Sequence, residues 1–192
     1  DALGPLGSNA LLEEIRDIRR HLHRHPELSF QEHETSAYIR RCLDEWGIEY
    51  RFPFVQTGIL AIIRGGQTGK RVALRADMDA LPIREDPRLE IRSMNAGVMH
   101  ACGHDLHTSC LLGAIRILDA MKYDRKGELL FVVQPGEEKL PGGARLMLEE
   151  GIFREGKPDL ILAQHVLPEL DAGKVGFREG MYMASSDEIY IT

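Results

Sequence analysis

A chain of 192 residues is long enough for one domain with a real core and short of a comfortable two. Its 24 Lys and Arg against 30 Asp and Glu leave a net charge of -6 with no basic block, which weighs against a nucleic-acid partner. No apolar run approaches the ~20 residues of a membrane-spanning helix, and no charged leader with an apolar core opens the chain, so the reading leans towards a cytoplasmic protein without a membrane partner.

The ends are set aside first. Residues 4–8, "GPLGS", resemble a protease-site remnant of an expression vector, so residues 1–8 are excluded from the fold reading. Residues 9–25 then predict a helix with Leu11, Leu12, Ile15, Ile18 and Leu22 on one apolar face, stopped at Pro26. A second helix is expected over 34–46, with Tyr38, Ile39, Leu43 and Trp46 inward and Gly47 as its cap. Short strands follow near 49–54, 59–64 and 71–75. The pattern then becomes strand, loop, helix: a helix over 104–121, a buried strand over 128–133, a helix over 141–151 and a second buried strand over 160–163. Residues 174–178 and 188–191 read as later strands. This rhythm predicts an α/β fold, a three-layer sandwich with a mostly parallel central sheet. Of the three cysteines, Cys42 and Cys110 read as small core residues, and the set is too sparse for a disulfide framework.

Ligands in such sheets gather at the carboxyl ends of the strands. After "VALR" comes "ADMDALP", with Asp77 and Asp79. After "LLFVV" comes "QPGEE", with Glu137 and Glu138. After "LILA" comes "QHV", with His165, and "VMHACGHDLHTSC" brings Cys102 and His104 just ahead of a helix. Thiolate, imidazole and carboxylate are the donor types of zinc and related metals. Cys102, His104, Glu138 and His165 are therefore candidate metal ligands, whereas a lone cysteine would read as a core residue. His100 and His107 are more readily seen as groups that orient a ligand, or as hydrogen-bonded residues near the surface. The two side chains of Glu137 and Glu138 are expected to point in different directions, one to a metal and the other to an activated water as general base. The pair Glu149–Glu150 reads as solvated.

The motifs "RADMDALP", "MHACGHDLHT", "QPGEEKLPGGARLMLEEGIF" and "AQHV", in this order and spacing, resemble the metal-dependent amidohydrolase and peptidase family. That family holds hippurate hydrolases, N-acyl-amino-acid amidohydrolases and auxin-conjugate hydrolases, and is related to carboxypeptidases and aminoacylases. The resemblance runs from about Ile15 to the end and implies a zinc-exopeptidase-like catalytic domain. It implies Cys102, His104, Glu138 and His165 as metal ligands, Glu137 as general base and Asp79 as a supporting catalytic-site carboxylate. Asp77 lies where many relatives carry a metal-binding histidine, a role that Cys102 takes over in this branch, and Asp105 is implied as the support of a histidine. The implied cofactors are two divalent metal ions, zinc or manganese, with cobalt as a third choice. The implied reaction is hydrolysis of the amide of a small-molecule N-acyl amino acid, hippurate-like, through a metal-bound water and the Glu137 base. The implied full-length protein is a homodimer.

The chain also departs from that pattern. Relatives resemble a chain about twice as long, with a lid and dimerisation domain inserted after a strand that begins here near Asp187, and a returning segment that brings a last histidine ligand. All eight histidines, His21, His23, His25, His33, His100, His104, His107 and His165, precede that point. Residues 9–186 are thus expected to be the N-terminal part of a catalytic domain, residues 187–192 the start of the inserted one, and the chain a truncated and inactive part. Two alternatives remain: a di- or tripeptidase of the same superfamily, and a non-catalytic metal-binding module with a closed Cys-His-Glu-His site.

Overall fold

The computed structural model describes residues 8–182. Helix α1 (Ser8–Arg24) and helix α2 (His33–Glu45) are followed by strands β1 (Glu49–Phe54), β2 (Gly58–Arg64) and β3 (Gln67–Asp77). Then come α3 (His104–Ala120), β4 (Lys126–Gln134), the short α4 (Gly143–Glu149) and β5 (Leu160–Ala163). The five strands form one sheet in the order β1-β2-β4-β3-β5.

The strand directions give the parallel expectation a precise form. β3 is parallel to both β4 and β5, while β2 is antiparallel to β4 and to β1. Four strands therefore run one way, but two of the four pairings are antiparallel and the sheet is mixed. Two apolar layers fill its faces. On one, Ile18 and Leu22 of α1, Ile39 and Leu43 of α2, and Leu111, Leu112 and Ile115 of α3 pack on Ile59, Ala61, Phe131 and Val133. On the other, Met147 and Ile152 cover Leu60, Ile62, Ala73, Leu130 and Val132. Alternate residues of β2 and β4 go to opposite layers, as the pleat requires. The three-layer arrangement follows, and each fully buried Leu, Ile or Phe stabilises it by ~1.5–3 kcal/mol.

Several expectations are corrected. The strand "LILA" forms, but Leu160, Ile161 and Leu162 are about half exposed (51%, 51% and 52%) and not buried. β5 lies at the sheet margin and pairs only with β3 among the described residues, so an apolar run alone did not reveal its exposure. Residues 174–178 form no strand: Val175 and Phe177 stand out at 86% and 91% exposure, with no strand beside them among the described residues to take their hydrogen bonds. Residues 188–191 lie outside the described residues. Cys110 is exposed, because α3 turns Leu111 and Leu112 inward and Cys110 away. Leu12 likewise faces outward on α1. Helix α4 starts only at Gly143, since Gly142 has φ +84° and cannot continue a helix backwards towards Pro141. No helix among the described residues is long and apolar enough to cross a membrane.

Candidate metal centre

The parallel register sets the site. Asp77 lies beside Gln134 and Arg75 beside Ala163, so β3, β4 and β5 end at one edge of the sheet. The segments leaving those ends carry Asp79, then Glu137 and Glu138, then His165. Helix α3 begins at the same edge with His104. Gly103 makes its approach possible: its φ is +82°, and a Cβ there would lie 2.5 Å from Cγ2 of Val166.

His104 is buried, and its Nδ1–H donates to Oδ1 of Asp79 at 3.2 Å. Its Nε2 is buried and has no hydrogen-bond partner. Around that nitrogen stand three carboxylate oxygens: Asp77 Oδ2 at 3.6 Å, Glu138 Oε1 at 3.7 Å and Glu137 Oε2 at 3.9 Å. Glu138 Oε1 is likewise buried and unpartnered. The two glutamates thus converge on one imidazole instead of pointing apart. His165 is arranged in the same sense. Its Nδ1–H donates to the Val166 carbonyl at 2.8 Å, which leaves Nε2 facing Cys102 Sγ at 3.3 Å. Ligand atoms of Cys102, His104 and His165 lie within 4.8 Å of one another, and so do those of His104, Glu137 and Glu138. Donors on one metal at ~2.1 Å sit roughly 3.4 Å apart in a tetrahedron. Both histidines are anchored at Nδ1 by an acceptor and present Nε2 forward, as metal-ligating histidines do.

The electrostatics favour a cation here. Burial pushes the Cys102 thiol up to about 12, helped by the charges of Glu138, Glu137 and Asp77. Burial, then Asp77 and Glu138, also raise Glu137. Burial works against ionised Asp77, but the His107 hydrogen bond and the Arg75 charge outweigh it and hold the carboxyl at about 2. Asp79 is lowered in the same way: burial opposes, and His104, Ser29 and the amides of Glu138 and Glu137 prevail. A crowd of carboxylates around orphaned, buried donor atoms fits a divalent cation.

His107 has a ligand atom within 4.8 Å of those of Asp77 and His104, but its nitrogens are already engaged, and His100 belongs to none of these groups. His107 Nδ1–H donates to Asp77 at 2.7 Å, and its Nε2 accepts the Val166 amide at 3.0 Å, so both nitrogens are spent. It orients the segment that carries His165. Arg75 reaches Asp77 Oδ2 at 2.8 Å and donates to Gln134 Oε1 at 2.7 Å, tying the ends of β3 and β4. His100 is buried with both ring nitrogens unpartnered, and burial pushes it down to about 4. Asp105 does support a histidine, but it is His23, at 2.8 Å. Sequence reading missed Ser29, whose hydroxyl donates to Asp79 Oδ2 at 2.6 Å and which lies in none of the quoted motifs.

A mixed α/β sheet thus gathers carboxylates, imidazoles and a thiol at one edge, where sheets of this class collect their ligands. Residues 73–187 match peptidase family M20/M25/M40, and the chain belongs to that family. It is 45% identical over 186 residues to an N-acyl-L-amino acid amidohydrolase of Geobacillus stearothermophilus, covering 94% of this chain and 50% of that one. It is 42% identical over 187 residues to an N-acetyl-L-cysteine deacetylase of Bacillus subtilis, covering 97% and 44%. A solved Bacillus subtilis structure, described as a dinuclear metal binding peptidase of the M20 family, superposes with a TM-score of 0.85 at 42% identity, over 90% of this chain and 48% of that one. The chain spans about half the length of the curated relatives it matches.

Proposed function

We propose that the full-length protein is an amidohydrolase that cleaves the amide bond of N-acyl amino acids, hippurate-like substrates among them. In this reading Cys102, His104, Glu138 and His165 hold divalent metal ions, two as in the Bacillus subtilis relative, with zinc or manganese suited to the mixed donor set. The single observation that carries it is the paired presentation of His104 Nε2 and His165 Nε2, each backed by an acceptor at Nδ1, beside an orphaned Glu138 oxygen and the Cys102 sulfur.

A bound divalent metal supplies a Lewis acid for the acyl oxygen and an acidified water. The protein supplies the rest. Glu137, with a side chain 41% exposed, can reach substrate and solvent, takes a proton on Oε2 and returns it to the leaving amine nitrogen. Asp79 keeps His104 in the tautomer with its proton on Nδ1, and also accepts the Glu138 amide at 2.9 Å, so one carboxylate fixes two ligand-bearing elements. Four donors are few for two metals, so this chain by itself is proposed to hold metal without turnover. A homodimer of the full-length protein belongs to the same reading, and sedimentation tests it.

The test is a substrate panel on the full-length enzyme. Expected is cleavage of N-acetyl and N-benzoyl amino acids in preference to free-amine dipeptides, with kcat reduced by roughly 10²–10⁴ in Glu137→Gln. Preference for dipeptides, or a Glu137→Gln enzyme as fast as its parent, overturns the reading.

A further inference from the structure

The turn between α1 and α2, residues 29–32, bears no reacting group, yet it grips the loop of Glu137 and Glu138 from both sides. Glu32 is fully buried, at 0% exposure, and takes part in no ion pair among the described residues. Three donors converge on its carboxylate. The amides of Phe30 and Gly136 donate to Oε1 at 2.9 and 2.8 Å, and the Thr57 hydroxyl donates to Oε2 at 2.9 Å. Gly136 immediately precedes Glu137. Beyond it, the Glu138 amide shares Asp79 Oδ2 with the Ser29 hydroxyl. The Phe30 ring, on a residue with φ +65°, lies against Gly136 so closely that a Cβ there would meet its ring carbons. Gly136 itself has φ +56°.

Burying a carboxylate with no cation is costly, and burial raises the Glu32 pKa accordingly. An apolar side chain of the same size would fill the volume. What it would not supply is an acceptor for two backbone amides, one of them in the carboxylate loop. We propose that Glu32 is a positioning residue: by holding the Gly136 amide, with Ser29 acting through Asp79 on the far side, it sets where Glu137 and Glu138 point. This rests on the reading of those glutamates as base and ligand, but the placement itself is measurable without metal.

The experiment compares Glu32→Met with Glu32→Gln in this chain. Gln keeps Oε1 for the two amides and turns its NH2 to the Thr57 oxygen; Met offers no acceptor. Amide hydrogen exchange is followed in the metal-free protein, and cobalt(II) affinity is followed by its thiolate absorption. Expected for Glu32→Met is exchange at Gly136 to Glu138 faster by about tenfold or more, unchanged exchange in α3, and a cobalt affinity lower by about tenfold. Glu32→Gln stays within about twofold of the parent on both. Loop exchange unaltered by Met, a uniform loss of protection across the fold, or Gln as damaging as Met would each overturn the proposal. Should Glu32→Met fail to fold, Gly136→Ala attacks the same contact from the loop side; a loop-confined rise in exchange is expected, and an unchanged loop overturns the proposal. Glu138→Ala separates the two readings. Parent-like cobalt affinity in that variant removes the metal-site reading, whereas the exchange comparison still judges Glu32.

Discussion

Replacing Asp79 with Asn keeps the shape of the side chain and removes one acceptor. In the parent, Oδ2 receives the Ser29 hydroxyl and the Glu138 amide, and Oδ1 receives His104 Nδ1–H. Asn has one oxygen for these tasks. If that oxygen stays with Ser29 and Glu138, the NH2 faces His104 Nδ1, which must give up its proton. The proton then moves to Nε2, the nitrogen 3.7 Å from Glu138 Oε1, and its lone pair is no longer free for a metal. If the oxygen turns to His104 instead, the NH2 meets the Glu138 amide donor to donor and the carboxylate loop shifts. Either way a bond to a charged, buried acceptor is lost, worth ~1.5–3 kcal/mol. For a loss of ~2 kcal/mol, a chain of this size melts roughly 4–8 °C lower. Metal affinity should fall about 10–100-fold, as for other groups that orient a ligand. Competition against a chromophoric chelator measures the affinity, and a melt in chelator measures the stability. A folded Asp79→Asn chain that binds zinc within about twofold of the parent would refute the reasoning.

Three further outcomes follow from the same geometry. His107→Phe removes the donor to Asp77 and the acceptor of the Val166 amide, so the His165 segment should loosen; zinc affinity falls about tenfold, and amide exchange at Val166 that stays at the parent rate would contradict this. His23 lies between Asp105 and Glu85, both at 2.8 Å, with Arg19 on Asp105 at 3.0 Å. The Asp105 hydrogen bond, aided by Glu85 and opposed by burial, raises His23 above its ordinary 6.5. A folded pKa above the unfolded one gives stability that is complete below 6.5 and lost as pH rises through the raised value. His23→Gln should therefore flatten the fall of stability between pH 6.5 and that raised value in urea titrations, and an undiminished slope counts against the assignment. Ile161→Lys, on the half-exposed strand β5, should change stability by no more than ~0.5 kcal/mol in urea titrations; a large destabilisation would mean that β5 is covered in solution.

Elements with strong periodicity were legible along the chain. The apolar stripes of α1, α2 and α3 and the runs of β2 and β4 match the buried residues, because each forms a face against the same sheet. Burial at the margin was not legible. "LILA" in β5 is as apolar as "LLFVV" in β4, and only the neighbouring strand distinguishes them. Alternation over residues 174–178 misled for the same reason, since a strand is defined by its partner. In the site, the candidate donors could be gathered from the sequence because the parallel strands β3, β4 and β5 end at one edge. Their supports could not. Ser29 reaches Asp79 across fifty positions, and Glu32, within the polar run "SFQEHE", is fully buried. Such contacts are made by the fold, and no local pattern encodes them.

The most direct test of the metal centre is elemental analysis of this chain, alone and as Cys102→Ser, after incubation with zinc and gel filtration. The account predicts stoichiometric zinc in the parent and a clear loss in Cys102→Ser, with both chains folded. A folded parent that retains no zinc, or a Cys102→Ser chain that retains as much as the parent, would contradict it.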